Sequence, residues 1–427
     1  MIKKVCVIGA GASGITAVKS LSEAGIEVVA YEKGSKIGGL WLYGNDNGLS
    51  SIYKSLHINT SKQMMAYSDF PMPGSYPDYP HHSLIYSYFE NYVDHFDLRK
   101  KIFCNTEVIQ VVKLPDGNYE VTSDRFGKEV FKAVLICSGH HWSPKYAHFP
   151  GHFSGAILHA HDYKSLEGFE GKKVLIIGIG NSAVDIACEL SNVAAPITIS
   201  TRNGAYIVPK YMFGVPTDHI SKPPLSFMPL SIQRAVLMSA LLLNVGKQDN
   251  YGIPTPKRPI LSEHPTISQE ILNKAGHGKI VIKSNIERLE NKKVFFTDGS
   301  SQEYDTIIHA TGYNIDFPFI EKSIIDIKDN VLPLYHKVVH PEHHNLFFVG
   351  LIQPLGAIMP LSELQCKWIA KILNGSCKLP STSVMKRQIR KDSEEMQKRY
   401  IRSTRHTIQV DFYPYKKVLE DEMKNKR

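Results

Sequence analysis

Cysteine is scarce and scattered. The six cysteines among 427 residues, Cys6, Cys104, Cys137, Cys188, Cys366 and Cys377, form no Cys-x-x-Cys pair and no ligand-like cluster. Such spacing argues against a disulfide framework and fits a reducing compartment, so a cytoplasmic location is expected. Long apolar runs are missing too. The longest uncharged one, AVLMSALLL from Ala235 to Leu243, is about half of what a membrane-spanning helix requires. It is expected to form a buried or interfacial helix, and no stable membrane anchor is expected. The N-terminus enters a strand by Val5 and a glycine turn at Gly9, leaving no room for the apolar core of a secretory signal. The formal charge is +9, yet Lys and Arg are dispersed and no basic run carries interleaved aromatics, so no nucleic acid is expected as a partner. Attraction of anionic cofactors accounts for the charge. Paired carboxylates, a nucleophile with its base, and a metal constellation are all lacking. HAHD, from His159 to Asp162, offers three ligand types on a loop without a fourth partner, and no metal is expected. Chemistry in such a chain has to come from a bound cofactor.

What is present is a phrase written twice. A length of 427 residues at 43% hydrophobic content favours two domains over one, and KKVCVIGAGASGITAVKSL (Lys3 to Leu21) returns as KKVLIIGIGNSAVDIACEL (Lys172 to Leu190). In the first copy Val5 to Ile8 read as a strand buried in a parallel sheet, and Gly9, Gly11 and Gly14 satisfy G-x-G-x-x-G. The first glycine serves the tight turn, the second lets backbone approach a pyrophosphate, and the third permits close helix packing. A second strand, EVVAYE, ends in Glu32 about 20 residues on, where an acid accepts hydrogen bonds from ribose hydroxyls. The first site therefore reads as FAD, held by Gly9, Ala10, Gly11, Ala12, Ser13, Gly14 and Glu32.

The second copy keeps Gly178 and Gly180 and has Ala183 at the third position, a permitted variant. Its next strand, APITISTR, ends in Ser200, Thr201 and Arg202. An acid there would repel a 2′-phosphate, whereas Arg pairs with one bidentately. The second site therefore reads as NADPH.

Between the fingerprints, EKGSKIGGLW places Gly38 and Gly39 just past Glu32, ahead of Trp41, and HINTSKQM supplies short polar side chains. FSGAILHAHDY meets F-x-G-x-x-x-H-x-x-x-Y with Phe153, Gly155, His159 and Tyr163. At these residues the sequence resembles the flavin-containing monooxygenase family. Further segments are similar: SDFPMP (Ser68 to Pro73), CSGHH (Cys137 to His141), ATGY (Ala310 to Tyr313) and GLIQPLGAIMPLSELQ (Gly350 to Gln365). The likeness runs from Met1 to about residue 415. It departs from the animal enzymes, which typically continue to an apolar membrane anchor, in ending on the charged DEMKNKR, so their membrane localisation is not expected to carry over.

The resemblance implies an α/β fold of two dinucleotide-binding, Rossmann-like domains, with the NADP domain inserted into the FAD domain. Expected boundaries are 1–163 and 304–427 for FAD and 164–303 for NADP, with a lid-like or substrate-facing excursion at about 209–265. The chain is expected to return at YDTIIHATGY to complete the FAD sheet, and the tail from Ser381 to Arg427 to be a mostly helical, solvated face. The resemblance further implies that NADPH reduces FAD, that a C4a-hydroperoxyflavin forms with dioxygen, and that it oxygenates small soft nucleophiles, as in N-oxide formation, S-oxygenation and xenobiotic metabolism. Gly39, Leu40, Trp41, Thr60 and Gln353 are expected at FAD; Ile58 and Asn181, Ser182, Ala183, Val184 and Asp185 at NADP. Asn59 is expected at both, as the catalytic hydrogen-bond donor. Three other functions stay open: a Baeyer–Villiger ketone monooxygenase, although its motif usually carries Trp where Tyr163 stands; a flavin disulfide reductase, which needs a cysteine pair; and a redox-sensing flavoprotein. A homodimer also stays open.

Overall fold

The protein is described as a computed structural model covering residues 4–400 and 407–425; positions 401–406 and 426–427 of the expected charged tail lie outside the described residues. It divides into two compact α/β units: Met1–Ser50, Thr60–Ser143 and Asn314–Arg427 form one, and Ser51–Asn59 with Pro144–Tyr313 the other.

In the first unit, Val5–Ile8 is buried at all four positions and sits at the centre of a five-stranded parallel sheet. The strand order is Leu346–Phe348, Ala133–Ile136, Val5–Ile8, Val28–Tyr31, Ile102–Phe103. A strand covered on both faces must be apolar throughout, which is why VCVI and AVLI show no alternation. The helix Ala12–Glu23 follows the central strand and buries Ile15, Ala17, Val18 and Leu21. Beside this sheet lies an antiparallel one, Val108–Lys113, Tyr119–Ser123 and Gly127–Phe131, whose inward residues Val111, Tyr119, Val121 and Phe131 join the same core.

The second unit repeats the plan. Its parallel sheet runs Ala156–His159, Thr306–His309, Val174–Ile177, Ile197–Ser200, Ile280–Lys283, again with the fingerprint strand central and fully buried. The helix Asn181–Leu190 packs Ala183, Val184, Ile186, Ala187 and Leu190 into the core of this unit.

Several expectations change. Thr306–His309, within YDTIIHATGY, does not complete the first sheet but lies in the second. Asp305 fixes it there, its carboxylate accepting from the Lys173 amide at 3.1 Å and its own N–H donating to the Lys173 carbonyl at 2.9 Å. Leu346–Phe348 completes the first sheet instead, at its edge beside Ala133–Ile136. The second unit is accordingly wider than 164–303, reaching from Pro144 to Tyr313 and taking in Ser51–Asn59, because Ala156–His159 is one of its strands. In the 209–265 excursion, the apolar run lies in the helix Leu230–Val245, of which only Leu237 and Leu241 are buried; of the two expected forms, buried or interfacial, the buried one does not hold. The tail is not uniformly solvated either: Thr382–Arg399 buries Met385 alone, but Phe412–Glu422 buries Phe412, Tyr415 and Leu419. Among the described residues, no helix is long and apolar enough to cross a membrane.

Candidate cofactor sites

The first glycine turn leaves its strand with Gly9 at φ +98°, where a Cβ would come within 2.8 Å of the Cys137 carbonyl oxygen. A Cβ on Gly14 would stand 1.9 Å from the Gly9 carbonyl oxygen, so the helix can follow this closely only without a side chain there. At Gly11 the space is open apart from Gly39, whose Cα lies 3.6 Å from where a Cβ would sit. Two facing glycines thus leave a cradle walled by backbone. The helix Ala12–Glu23 begins at Gly11 with no side-chain cap and no acid in its first turn, so its free N–H groups suit an anion.

Glu32 closes this turn. Its carboxylate is buried, 4% exposed, and accepts from the Ala10 amide at 2.7 Å, the Gly34 amide at 2.9 Å and Asn47 Nδ2 at 3.2 Å. These contacts aim the carboxylate, and a carboxylate's lone pairs leave room for one further donor such as a ribose hydroxyl. Asn45 donates to the Gly39 carbonyl at 2.9 Å, and Ser50 Oγ donates to that of Leu40 at 2.8 Å. Gly39–Trp41 form a single 3₁₀ turn. Of the other expected residues, Ala12 accepts at its carbonyl from Tyr67 OH at 2.6 Å. Ser13 Oγ donates to Ser362 Oγ at 3.3 Å, Thr60 is half-buried, and Gln353 pairs with Gln409 in a short two-stranded ladder.

The second turn has the same build. Gly178 has φ +112°, with the Ala310 carbonyl oxygen 2.6 Å from a would-be Cβ. Gly180 opens the helix Asn181–Leu190, again without a side-chain cap. Asn181 Oδ1 accepts from the Ile267 amide at 2.8 Å, Ser182 is exposed, and Ala183 and Val184 are buried. Three predicted binders differ in availability. Ser200 is buried and donates to the Ser284 carbonyl at 2.7 Å, and Thr201 Oγ1 accepts from the Gly204 amide at 3.1 Å. Arg202 is exposed, with no ion pair to another described residue, so its guanidinium is free for a phosphate.

Asp185 is engaged elsewhere. Its Oδ2 accepts from Tyr53 OH at 2.8 Å, and burial pushes its carboxyl up to about 6 while the Tyr53 hydrogen bond and the Lys210 charge pull it back. Lys210 Nζ donates to the Ile58 carbonyl at 3.3 Å. Both hold the segment that ends in Asn59. Asn59 Oδ1 is buried and accepts no hydrogen bond among the described residues, which is costly unless something outside the chain bonds it.

The remaining motif residues frame the second unit. Phe153 lies in the core with Leu289 and Phe296. His159 is fully buried, accepts from the His161 amide at 3.0 Å and is pulled down to about 4 by burial, hence neutral. Tyr163 donates to Glu189 at 2.8 Å.

The whole chain, residues 2–426, matches the family model described as flavin-binding monooxygenase-like. Flavin-containing monooxygenase 5 of Homo sapiens is 41% identical, covering 98% of this chain and 82% of the relative. The chain belongs to the flavin-containing monooxygenase family. Dimethylaniline monooxygenase [N-oxide-forming] 2 of Rattus norvegicus is 38% identical over 97% of this chain and 81% of its own. Among solved structures, the S-allyl-L-cysteine S-oxygenase of Allium sativum aligns with a TM-score of 0.75 at 27% identity, covering 99% and 88% of the two chains. As a member of the family, the protein is a monooxygenase dependent on FAD and NADPH. The glycine cradles, the uncapped helices and the unsatisfied Asn59 amide fit those nucleotides.

Two family segments hold the first unit together. Ser68, in SDFPMP, donates through its amide and hydroxyl to Glu363 at 2.7 and 2.8 Å, and Gln365, in SELQ, accepts from the Gly350 amide at 2.8 Å. Sequence reading missed Tyr53, Lys210 and Asn47. Tyr53 stands six residues before Asn59 in SIYKSLHIN, but nothing in that spacing reveals a partner 132 residues away.

Proposed function

We propose that this monooxygenase oxygenates soft heteroatoms, the nitrogen of amines and the sulfur of thioethers, on small molecules. The names of two relatives, an N-oxide-forming enzyme and an S-oxygenase, support this class. The observation that carries the site assignment is the buried, unpartnered amide oxygen of Asn59. Bound FAD, reduced by NADPH, supplies an electrophilic oxygen atom taken from dioxygen. The chain's residues bind and orient. The first unit takes FAD, its Ala12–Glu23 amides facing the pyrophosphate and Glu32 the ribose. The second takes NADPH on the Asn181–Leu190 N-terminus, with Arg202 on the 2′-phosphate. No side chain needs to act as nucleophile, and a soft nucleophile is selected by reach and shape. The six free thiols support a cytoplasmic setting.

Asn59 would hold the nicotinamide nucleotide after hydride transfer through Oδ1, which can accept a hydrogen bond, and steady the oxygen being delivered through Nδ2, which can donate one. Neither role is needed for hydride transfer itself. Asn59→Ala is therefore expected to retain FAD and consume NADPH while releasing hydrogen peroxide in place of oxygenated product. Loss of one preorganised donor costs about 2.7–4 kcal/mol in the step it serves. Oxygenated thioether and peroxide per NADPH, measured together, test this; a variant as well coupled as the wild type would remove Asn59 from the mechanism.

A further inference from the structure

The segment Ser51–Asn59 is the one part of the first 143 residues that groups with the second unit, although no strand of either parallel sheet runs through it. Several contacts hold it there. Tyr53 is 5% exposed and packs in the core of the second unit, its ring 5.8 Å from that of Tyr163. Its hydroxyl donates to Asp185 Oδ2 at 2.8 Å. The Lys54 amide donates to the Lys164 carbonyl at 2.8 Å, and Lys210 Nζ reaches the carbonyl of Ile58, next to Asn59. Asp185 lies on the second turn of the helix whose N-terminus reads as the NADP pyrophosphate site.

We infer that Tyr53 and Asp185 are positioning residues that tether the Asn59 segment to the nicotinamide-nucleotide helix, so that the Asn59 amide keeps register with the NADP site. The functional consequence rests on the proposed oxygenation chemistry; the tether itself does not. A carboxylate drawn out of water is a costly place to anchor a hydroxyl, even with the Lys210 charge nearby to offset part of that cost. Placed on that helix, the same carboxylate ties the segment to the element that would hold the pyrophosphate. Tyr163, the last residue of the F-x-G-x-x-x-H-x-x-x-Y motif, then acquires a physical role. Its hydroxyl donates to Glu189 one turn further along the helix, and its ring backs Tyr53.

Tyr53→Phe keeps the ring and removes only the hydroxyl. In full-length protein carrying FAD, amide hydrogen exchange of residues 51–59, and of Lys54 in particular, is expected to rise about ten- to a hundredfold, as follows from losing a hydrogen bond to a charged group. Asp185→Asn leaves an acceptor oxygen for the hydroxyl, so its rise is expected to be smaller. Tyr53→Phe should also shift NADPH consumption from product toward hydrogen peroxide, a split that a purely structural role at unchanged melting temperature would not produce. Exchange within about twofold of the wild type in Tyr53→Phe overturns the tether. Raised exchange with undiminished coupling overturns its positioning role. Asn59→Ala, measured alongside, separates the two assignments: if it stays coupled, the Asn59 assignment fails while the exchange result still decides the tether.

Discussion

Arg202 is the residue on which we propose that the choice between the two nicotinamide nucleotides turns. It ends the strand after the second fingerprint, is exposed, and has no ion pair among the described residues, while its neighbours Ser200 and Thr201 bond the chain itself. The expected phosphate contact thus falls on the guanidinium. Losing a bidentate Arg–phosphate pair costs on the order of 1.5–3 kcal/mol, one to two decades in affinity. Arg202→Ala is accordingly expected to bring the affinities for NADPH and NADH together by that factor, read by titrating flavin reduction with each. An unchanged ratio would place the 2′-phosphate elsewhere. Arg202 and Glu32 stand out in the sequence as candidates because each sits at a fixed offset from a glycine turn. The inward turn of Ser200 was not, since its partner Ser284 is 84 residues away.

At the scale of the element, the helix Asn181–Leu190 carries a group that opposes stability. The Asp185 carboxyl is raised to about 6 from an ordinary value of 3.8, chiefly by burial. A carboxyl whose folded value lies above its unfolded one binds protons more tightly in the native state, so its contribution to stability falls as pH climbs from about 4 to 6 and stays lost above that range. The cost above pH 6 is at most about 3 kcal/mol, less the screening that its partial exposure allows. Asp185→Asn removes this titration. The melting temperature of the variant relative to the wild type is therefore expected to rise with pH across that window, and a flat difference would show that Asp185 does not titrate there. That cost falls on the carboxylate to which the proposed Tyr53 tether is made.

For the whole molecule, the scattering of the cysteines has a direct consequence. Cys6, Cys137, Cys188, Cys366 and Cys377 are buried and all six are free, and burial raises the thiols of Cys6, Cys104, Cys137, Cys188 and Cys366 above the ordinary range. Thiolates are the reactive form, so these thiols react poorly in the folded state. Alkylation of the native enzyme is expected to reach the half-buried Cys104 first and to leave NADPH-dependent oxygenation unchanged. Prompt loss of flavin reduction with the fold intact would instead point to a dithiol mechanism.

Whatever depends on neighbours along the chain could be read from the residues in order: two strand–turn–helix units, their glycines, and the charge of the side chain ending each second strand, because a phosphate cradle is built from one continuous stretch of backbone. Whatever depends on pairing at long range waited for the folded chain. Thr306–His309 and Leu346–Phe348 are both short buried strands, and nothing local says which parallel sheet each joins; the first pairs with Ala156–His159 and Val174–Ile177, with Asp305 meeting Lys173 at its start. The run at 235–243 reads by composition as a buried or interfacial helix, yet burial needs a facing surface, and only Leu237 and Leu241 find one. Likewise SIYKSLHIN shows a polar segment ahead of Asn59, but only the folded chain sets Tyr53 against Asp185 and so ties that segment to the unit built on the second fingerprint.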